Sequence, residues 1–298
     1  MRRLFLTLTA AAAISALPAA PAVAAPFVIT DSLSAATLVA ALVSGNPGIV
    51  VVGGSETYTG ALVANGTFTG GTAIIPFDSG VLLTSGSSQD AKGPNDAAGQ
   101  STDNEAAGDA QLETLTTGTT FDASILEFDF YALGPDISFQ YAFGSEEYNE
   151  FVGSIFNDVF GFFLNGSNIA LIPNTLTPVT INNVNCGANS TFYVNNSAGP
   201  CATAPRDTQY DGLAGADLSD VSKWLFASGT ANTGQVLNHI KLAIADVSDH
   251  VYDSGVFLKA GSFRNEEAPS VPEPTSLLLL GSGLVLAGRR LRSRSTSV

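Results

Sequence analysis

The chain has 298 residues, with 27 acids against 12 bases and a formal net charge of −15 at pH 7. Between residues 25 and 270 the imbalance sharpens to 26 acids against six bases, which makes nucleic acid and anionic lipid poor partners and hard cations natural ones. Two cysteines and two histidines are too few for a typical hydrolytic zinc centre, and no nucleotide loop, nucleophile elbow or zincin motif occurs.

Arg2-Arg3 followed by an apolar run over residues 4–17 and the small-x-small site Ala22-Val23-Ala24 predicts an export signal over residues 1–24, removed by signal peptidase. Residues 32–43 then show helical spacing at Leu33, Leu38, Val39, Leu42 and Val43, with Asp31 or Ser32 as the cap and Gly45-Asn46-Pro47 as the stop. Strands follow at residues 49–52, as a short buried run, at 61–69 and at 80–84. Residues 89–108 are polar and rich in Gly, Asn and Asp, which predicts a long loop, and residues 109–115 predict one or two helical turns.

Residues 124–130 alternate at period two, with Leu126, Phe128 and Phe130 on one face and Ile125, Glu127 and Asp129 on the other. Residues 137–143 alternate likewise. Further strands are expected at 159–164, 169–172 and 179–181, with Asn165-Gly166 as a hairpin turn. Residues 218–226 carry helical spacing at Leu218, Val221 and Leu225, and a strand is the other reading. Strands at 239–245 and 251–263 close the module. Many short strands without an alternating helix predict a mainly β fold over residues 25–265. The expected form is an antiparallel, jelly-roll-like β-sandwich with one N-terminal helix.

Cys186 and Cys201 form an even pair in an exported chain, which predicts a disulfide. Closing a loop of that size contributes about 3 kcal/mol. The densest chemistry lies in Glu146-Glu147-Tyr148-Asn149-Glu150, in Asn157-Asp158 and in Asp246-Val247-Ser248-Asp249-His250…Asp253. The spacing is not that of an EF-hand, but sandwich loops collect calcium ligands from separate turns. Glu146, Glu147, Asn157, Asp158, Asp246 and Asp253 are therefore the candidate ligands of a structural Ca²⁺. The alternative is that these side chains satisfy turn amides. Glu146, Glu147, Glu150 and Asp158 also supply the paired carboxylates of a glycan hydrolase. His239 reads as a satisfied strand histidine, and His250 as a minor metal ligand.

The C-terminal end has three parts in order: Pro272-Glu273-Pro274, an apolar run over residues 277–287, and Arg289-Arg290-Leu291-Arg292-Ser293-Arg294. The run is short for a bilayer, which usually wants nearer 20 apolar residues, and its arginines hold it in place from the cytoplasmic side. This tripartite end, residues 266–298 with its linker, resembles the PEP-CTERM sorting signal of Gram-negative bacteria. The resemblance implies a short C-terminal transmembrane helix before processing, exosortase as the processing partner, passage through the periplasm, and release or surface attachment. It also implies a host that makes exopolysaccharide or biofilm.

A second resemblance runs through Asp122-Ala123-Ser124-Ile125-Leu126-Glu127-Phe128, Phe143-Gly144-Ser145-Glu146-Glu147-Tyr148, Asn157-Asp158-Val159-Phe160-Gly161-Phe162 and Tyr252-Asp253-Ser254-Gly255-Val256-Phe257. These segments resemble the choice-of-anchor L domain, which implies an exported, surface-associated module without assigned catalytic residues. The expected function is a surface or matrix protein with a non-catalytic binding domain. A calcium-dependent lectin that takes exopolysaccharide or other surface glycans, and a glycan hydrolase, are the alternatives.

Overall fold

Period-two alternation of large apolar side chains builds two antiparallel sheets in the computed structural model, which describes residues 26–97 and 99–265. In chain order the elements are β1 (Val28–Asp31), α1 (Ala35–Val43), β2 (Ile49–Val51), β3 (Thr57–Thr59), β4 (Asn65–Thr69) and β5 (Gly80–Thr84). There follow β6 (Thr120–Ala132), β7 (Asp136–Ser145), β8 (Val159–Leu164), β9 (Ser167–Asn168) and β10 (Tyr193–Asn195). The last four are β11 (Gly212–Ala214), β12 (Leu225–Thr230), β13 (Asn238–Val247) and β14 (Ser254–Lys259). One sheet has the order β1-β4-β5-β14-β7-β11-β10 with β12 also on β7, and the other has β2-β6-β13-β8-β9 with β3 also on β6. From β5 to β8 the chain alternates between the sheets, as it does in a jelly roll.

The facing sheets enclose an aromatic core. Leu126, Phe128 and Phe130 of β6 point inward with Ile240, Leu242 and Ile244 of β13, while Phe139, Tyr141 and Phe143 come from β7. Phe139 lies stacked between Phe162 and Phe263, with ring centroids 4.8 and 4.0 Å away. Helix α1 closes one side of this core with Leu38, Val39 and Leu42. Its cap is Ser34, whose Oγ accepts from the Thr37 amide at 3.3 Å. The expected cap at Asp31 or Ser32 comes too early because Asp31 is still in β1, paired with Gly66.

Further expectations change. Residues 169–172 and 179–181 form single bridges, Leu171 to Pro178 and Thr180 to Val159, rather than strands. Residues 62–64 make a tight turn, so β4 begins at Asn65. Over residues 218–226 the strand reading holds from Leu225 on. The Asp217 and Asp220 carboxylates capture the amides of Ser219, Asp220 and Ser222, which favours a turn over a helix. The chain then pairs with β7, burying Leu225 and Ala227. The run at residues 49–52 is an edge strand with Val50 half exposed, and β3 was not anticipated.

Cys186 and Cys201 are disulfide-bonded, with Cα atoms 6.0 Å apart, and tie down the Asn-rich loop that leads into β10. The export signal, the sorting tail and its helix lie outside the described residues. Among the described residues no helix is long and apolar enough to cross a membrane.

Candidate functional site

Strand register brings acids from both sheets to one end of the sandwich. In one sheet Ser145 of β7 faces Ser254 of β14, and Thr84 of β5 faces Gly255. In the other, Ala245 of β13 faces Val159 of β8, and Val247 faces Thr120 of β6. The residues at or beside these strand ends are Glu146, Glu147, Asp158, Asp246, Asp253 and Asp122, and none is more than 2% exposed. The β13 register slips between Ile244 and Asp246, a bulge that re-aims the following side chains.

Some of their oxygens are satisfied. Asp158 accepts from the Val247 amide at 2.9 Å and the Ser254 hydroxyl at 2.6 Å. The Glu146 amide donates to the Asp253 carbonyl at 3.1 Å, so the two acids are tied through backbone. Five carboxylate oxygens have no hydrogen-bond partner: both of Asp246, Oδ1 of Asp253, Oε1 of Glu146 and Oε2 of Glu147. The Ser85 hydroxyl and the Asp158 carboxyl lie close enough to Asp246 to interact with it, without reaching good hydrogen-bond geometry on either oxygen.

Among the described residues no lysine or arginine pairs with them, and His250 meets only Asp122 of the cluster. The lysine ion pairs among the described residues go to Asp109, Asp217 and Asp220 instead. Burial therefore holds Asp246 well above the usual carboxylate range, with the Asp158 and Asp253 charges adding to it. Burial, then the Asp211 charge, pushes Glu146 up to about 9. Glu147, Asp158 and Asp253 are raised as well, burial being the first cause in each. A buried polar group without a partner costs about 1–3 kcal/mol, and more when charged.

A strap, residues 99–106, runs along the cluster and bonds Glu146, Asp253 and Asp122. Its alternate backbone amides point inward: Gln100 donates to Glu146 at 3.2 Å, Thr102 to Asp253 at 2.8 Å, and Asn104 and Ala106 to Asp122 at 3.3 and 2.6 Å. The Asn104 side-chain amide also holds the Ser85 and Gly86 carbonyls. The acids thus serve as the strap's hydrogen-bonding edge in place of a neighbouring strand.

Five of the six predicted ligands, Glu146, Glu147, Asp158, Asp246 and Asp253, lie together here. Asn157 does not join them. Its Oδ1 accepts from the Asn182 amide at 2.8 Å and its Nδ2 approaches Thr116, so it satisfies a neighbouring turn. His239 is a satisfied strand residue, with Nδ1 2.8 Å from Asp129. His250 lies 2.9 Å from Asp122 and 3.3 Å from Asp103. Among the described residues this trio alone holds three ligand atoms within 4.8 Å of one another. Asp122 and Asp103 were not singled out in the sequence. Asp122 stands just ahead of the alternation at residues 124–130, and that position was the available signal.

A separate groove of about 390 Å³ opens beside β12, lined by Trp224, Phe226, Ile169, Leu171 and Pro173 with Asn174, Thr175, Ser222 and Ser228. None of its lining residues is ionisable. The Trp224 Nε1 donates to the Asp217 carbonyl at 2.7 Å, which fixes the ring at the groove wall.

The family model for the choice-of-anchor L domain matches residues 28–264, the whole sandwich from β1 to the residue after Phe263. The chain belongs to the choice-of-anchor L domain family. The PEP-CTERM protein-sorting motif matches residues 270–294. No curated protein and no solved structure matches the chain. A choice-of-anchor L domain ahead of this motif is an exported, exosortase-processed surface protein of a Gram-negative bacterium. Replacing Glu273 and Pro274 by alanine in an exosortase-bearing host is expected to leave the tail attached. Intact-mass measurement checks this, and an unprocessed tail on the unaltered surface protein would contradict it.

Proposed function

We propose that this choice-of-anchor L domain works by binding and not by turnover, and that its partner is a neutral polysaccharide of the cell exterior. The observation that carries the reading is a separation of chemistry on the molecule. Of the carboxylates a hydrolase would draw on, Glu146, Glu147 and Asp158 are at most 1% exposed and Glu150 alone is exposed, which leaves no exposed pair, whereas the open groove holds an aromatic ring with neutral polar and apolar groups. General acid–base catalysis requires a titratable group within hydrogen-bond reach of the substrate, and the groove lining offers none. An aromatic face beside neutral hydrogen-bonding groups suits a sugar ring. The acidic surface elsewhere disfavours an anionic glycan.

Retention on an array of exterior polysaccharides tests this. Trp224→Ala is expected to weaken retention by about tenfold or more, equivalent to about 1.4 kcal/mol, without lowering the melting temperature. Release of shortened glycan, or retention that survives Trp224→Ala unchanged, would contradict the proposal.

A further inference from the structure

We propose that the sealed acid cluster binds calcium, with Asp246 as the central ligand between Asp158 and Asp253 and with Glu146 and Glu147 completing the carboxylate set. This inference is independent of what the groove binds. It rests first on Asp246, which is fully buried, has two oxygens without a hydrogen-bond partner and feels the charges of Asp158 and Asp253. It rests second on the unpartnered oxygens of Asp253 and of the adjacent Glu146 and Glu147, which belong to two separate stretches of chain.

The donor set decides the class of ion. It offers oxygen alone, with neither imidazole nor thiolate, which excludes the softer metals and selects a hard cation. Calcium takes six to eight oxygens in irregular arrangements, while magnesium demands a near-octahedral shell and gives up its water reluctantly. Five free carboxylate oxygens on unconnected turns suit the larger ion, with water or backbone carbonyls supplying the remaining positions. No three of these acids bring oxygens within 4.8 Å of one another, as the Asp103, Asp122 and His250 trio does, so the proposed binding requires the carboxylates to close on the ion.

The site also explains why the strap can lie over a charged cluster. Glu146 and Asp253 each spend one oxygen on a strap amide, Gln100 and Thr102 respectively, and keep the other free. A cation on the free oxygens holds both carboxylates in the orientation the strap requires, so occupancy and strap closure are coupled.

The test is calorimetric titration of Ca²⁺ into the chelator-treated exported protein, together with thermal melting in Ca²⁺, Mg²⁺ and EDTA. Saturable binding is expected, and calcium at a hundredfold excess over its dissociation constant should raise the folding constant about a hundredfold. Asp246→Asn should lower calcium affinity at least tenfold, while its calcium-free form melts no lower than the calcium-free parent because a neutral amide replaces a carboxyl that burial already disfavours as an anion. Asp78→Asn, at the opposite end of β5, should change neither. Should Asp246→Asn fail to fold, Glu147→Gln reads the same affinity loss. Limited proteolysis of residues 99–106 supplies a second readout, with calcium protecting the strap. No heat of binding with identical melting in calcium and EDTA would overturn the proposal, and so would full affinity in both variants. Equal stabilisation by Mg²⁺ would overturn the assignment to calcium.

Discussion

Phe139→Ala lowers the unfolding free energy of the domain by about 3–5 kcal/mol, the usual cost of truncating a buried phenylalanine to alanine. Phe139 is completely buried and lies in a three-ring stack that joins both sheets to the end of the domain. Phe162 comes from β8 in the opposite sheet, and Phe263 from the segment after β14. Phe263 also meets Phe128 and Phe130 edge-on at 5.6 and 5.0 Å, so a cavity at position 139 loosens four rings at once. Phe263 is further held by the amide bond it donates to the Leu42 carbonyl and by the Asn46 side chain on its own carbonyl. The stack therefore anchors the point at which the chain leaves the core toward the sorting motif. Urea unfolding checks the prediction. Phe139→Leu should cost clearly less, and a loss below about 1 kcal/mol for the alanine variant would be out of line with well-packed cores.

Gly86→Ala destabilises the same domain by about 1–3 kcal/mol, the range for overpacking, and opens the strap. A Cβ at this position would lie 1.6 Å from Oδ2 and 2.1 Å from Cγ of Asp253, so the carboxylate has to move. That oxygen accepts from the Thr102 amide at 2.8 Å, and the residue is 2% exposed, which leaves no vacant direction. Displacement breaks a strap contact and misplaces a proposed calcium ligand together. Hydrogen exchange across residues 99–106 should accelerate, and calcium should bind more weakly. Unchanged exchange and unchanged melting would show that the β5 turn has slack that the close approach denies.

The sandwich was legible because alternation in β6, β7 and β13 is long and carries large side chains, and burial of one face fixes the register. Shorter pieces were not legible. β3 is three residues of threonine and tyrosine whose pairing depends on the neighbouring strand β6 and not on any pattern of its own. Residues 218–226 have helical spacing, but Asp217 and Asp220 satisfy local amides with their side chains, and β7 offers an edge to pair with. That Glu146, Glu147, Asp158, Asp246 and Asp253 fall at one end of the sandwich was readable because they sit at strand ends and the paired strands bring those ends together. Asn157 was misplaced because an amide next to an acid is equally suited to holding a turn, and here it holds Asn182. The strap could not be read at all: its contribution is backbone amides at every second residue, and a backbone amide leaves no mark in the sequence.

The central proposal is that the sealed carboxylates hold an ion instead of acting on a substrate. Its most direct test is the calcium content of the exported protein after equilibration with calcium and gel filtration into metal-free buffer, measured by elemental analysis. The account predicts at least one calcium per folded chain, and a marked loss of bound calcium in Asp246→Asn. A folded chain that carries no calcium, with melting indifferent to chelator, would contradict it.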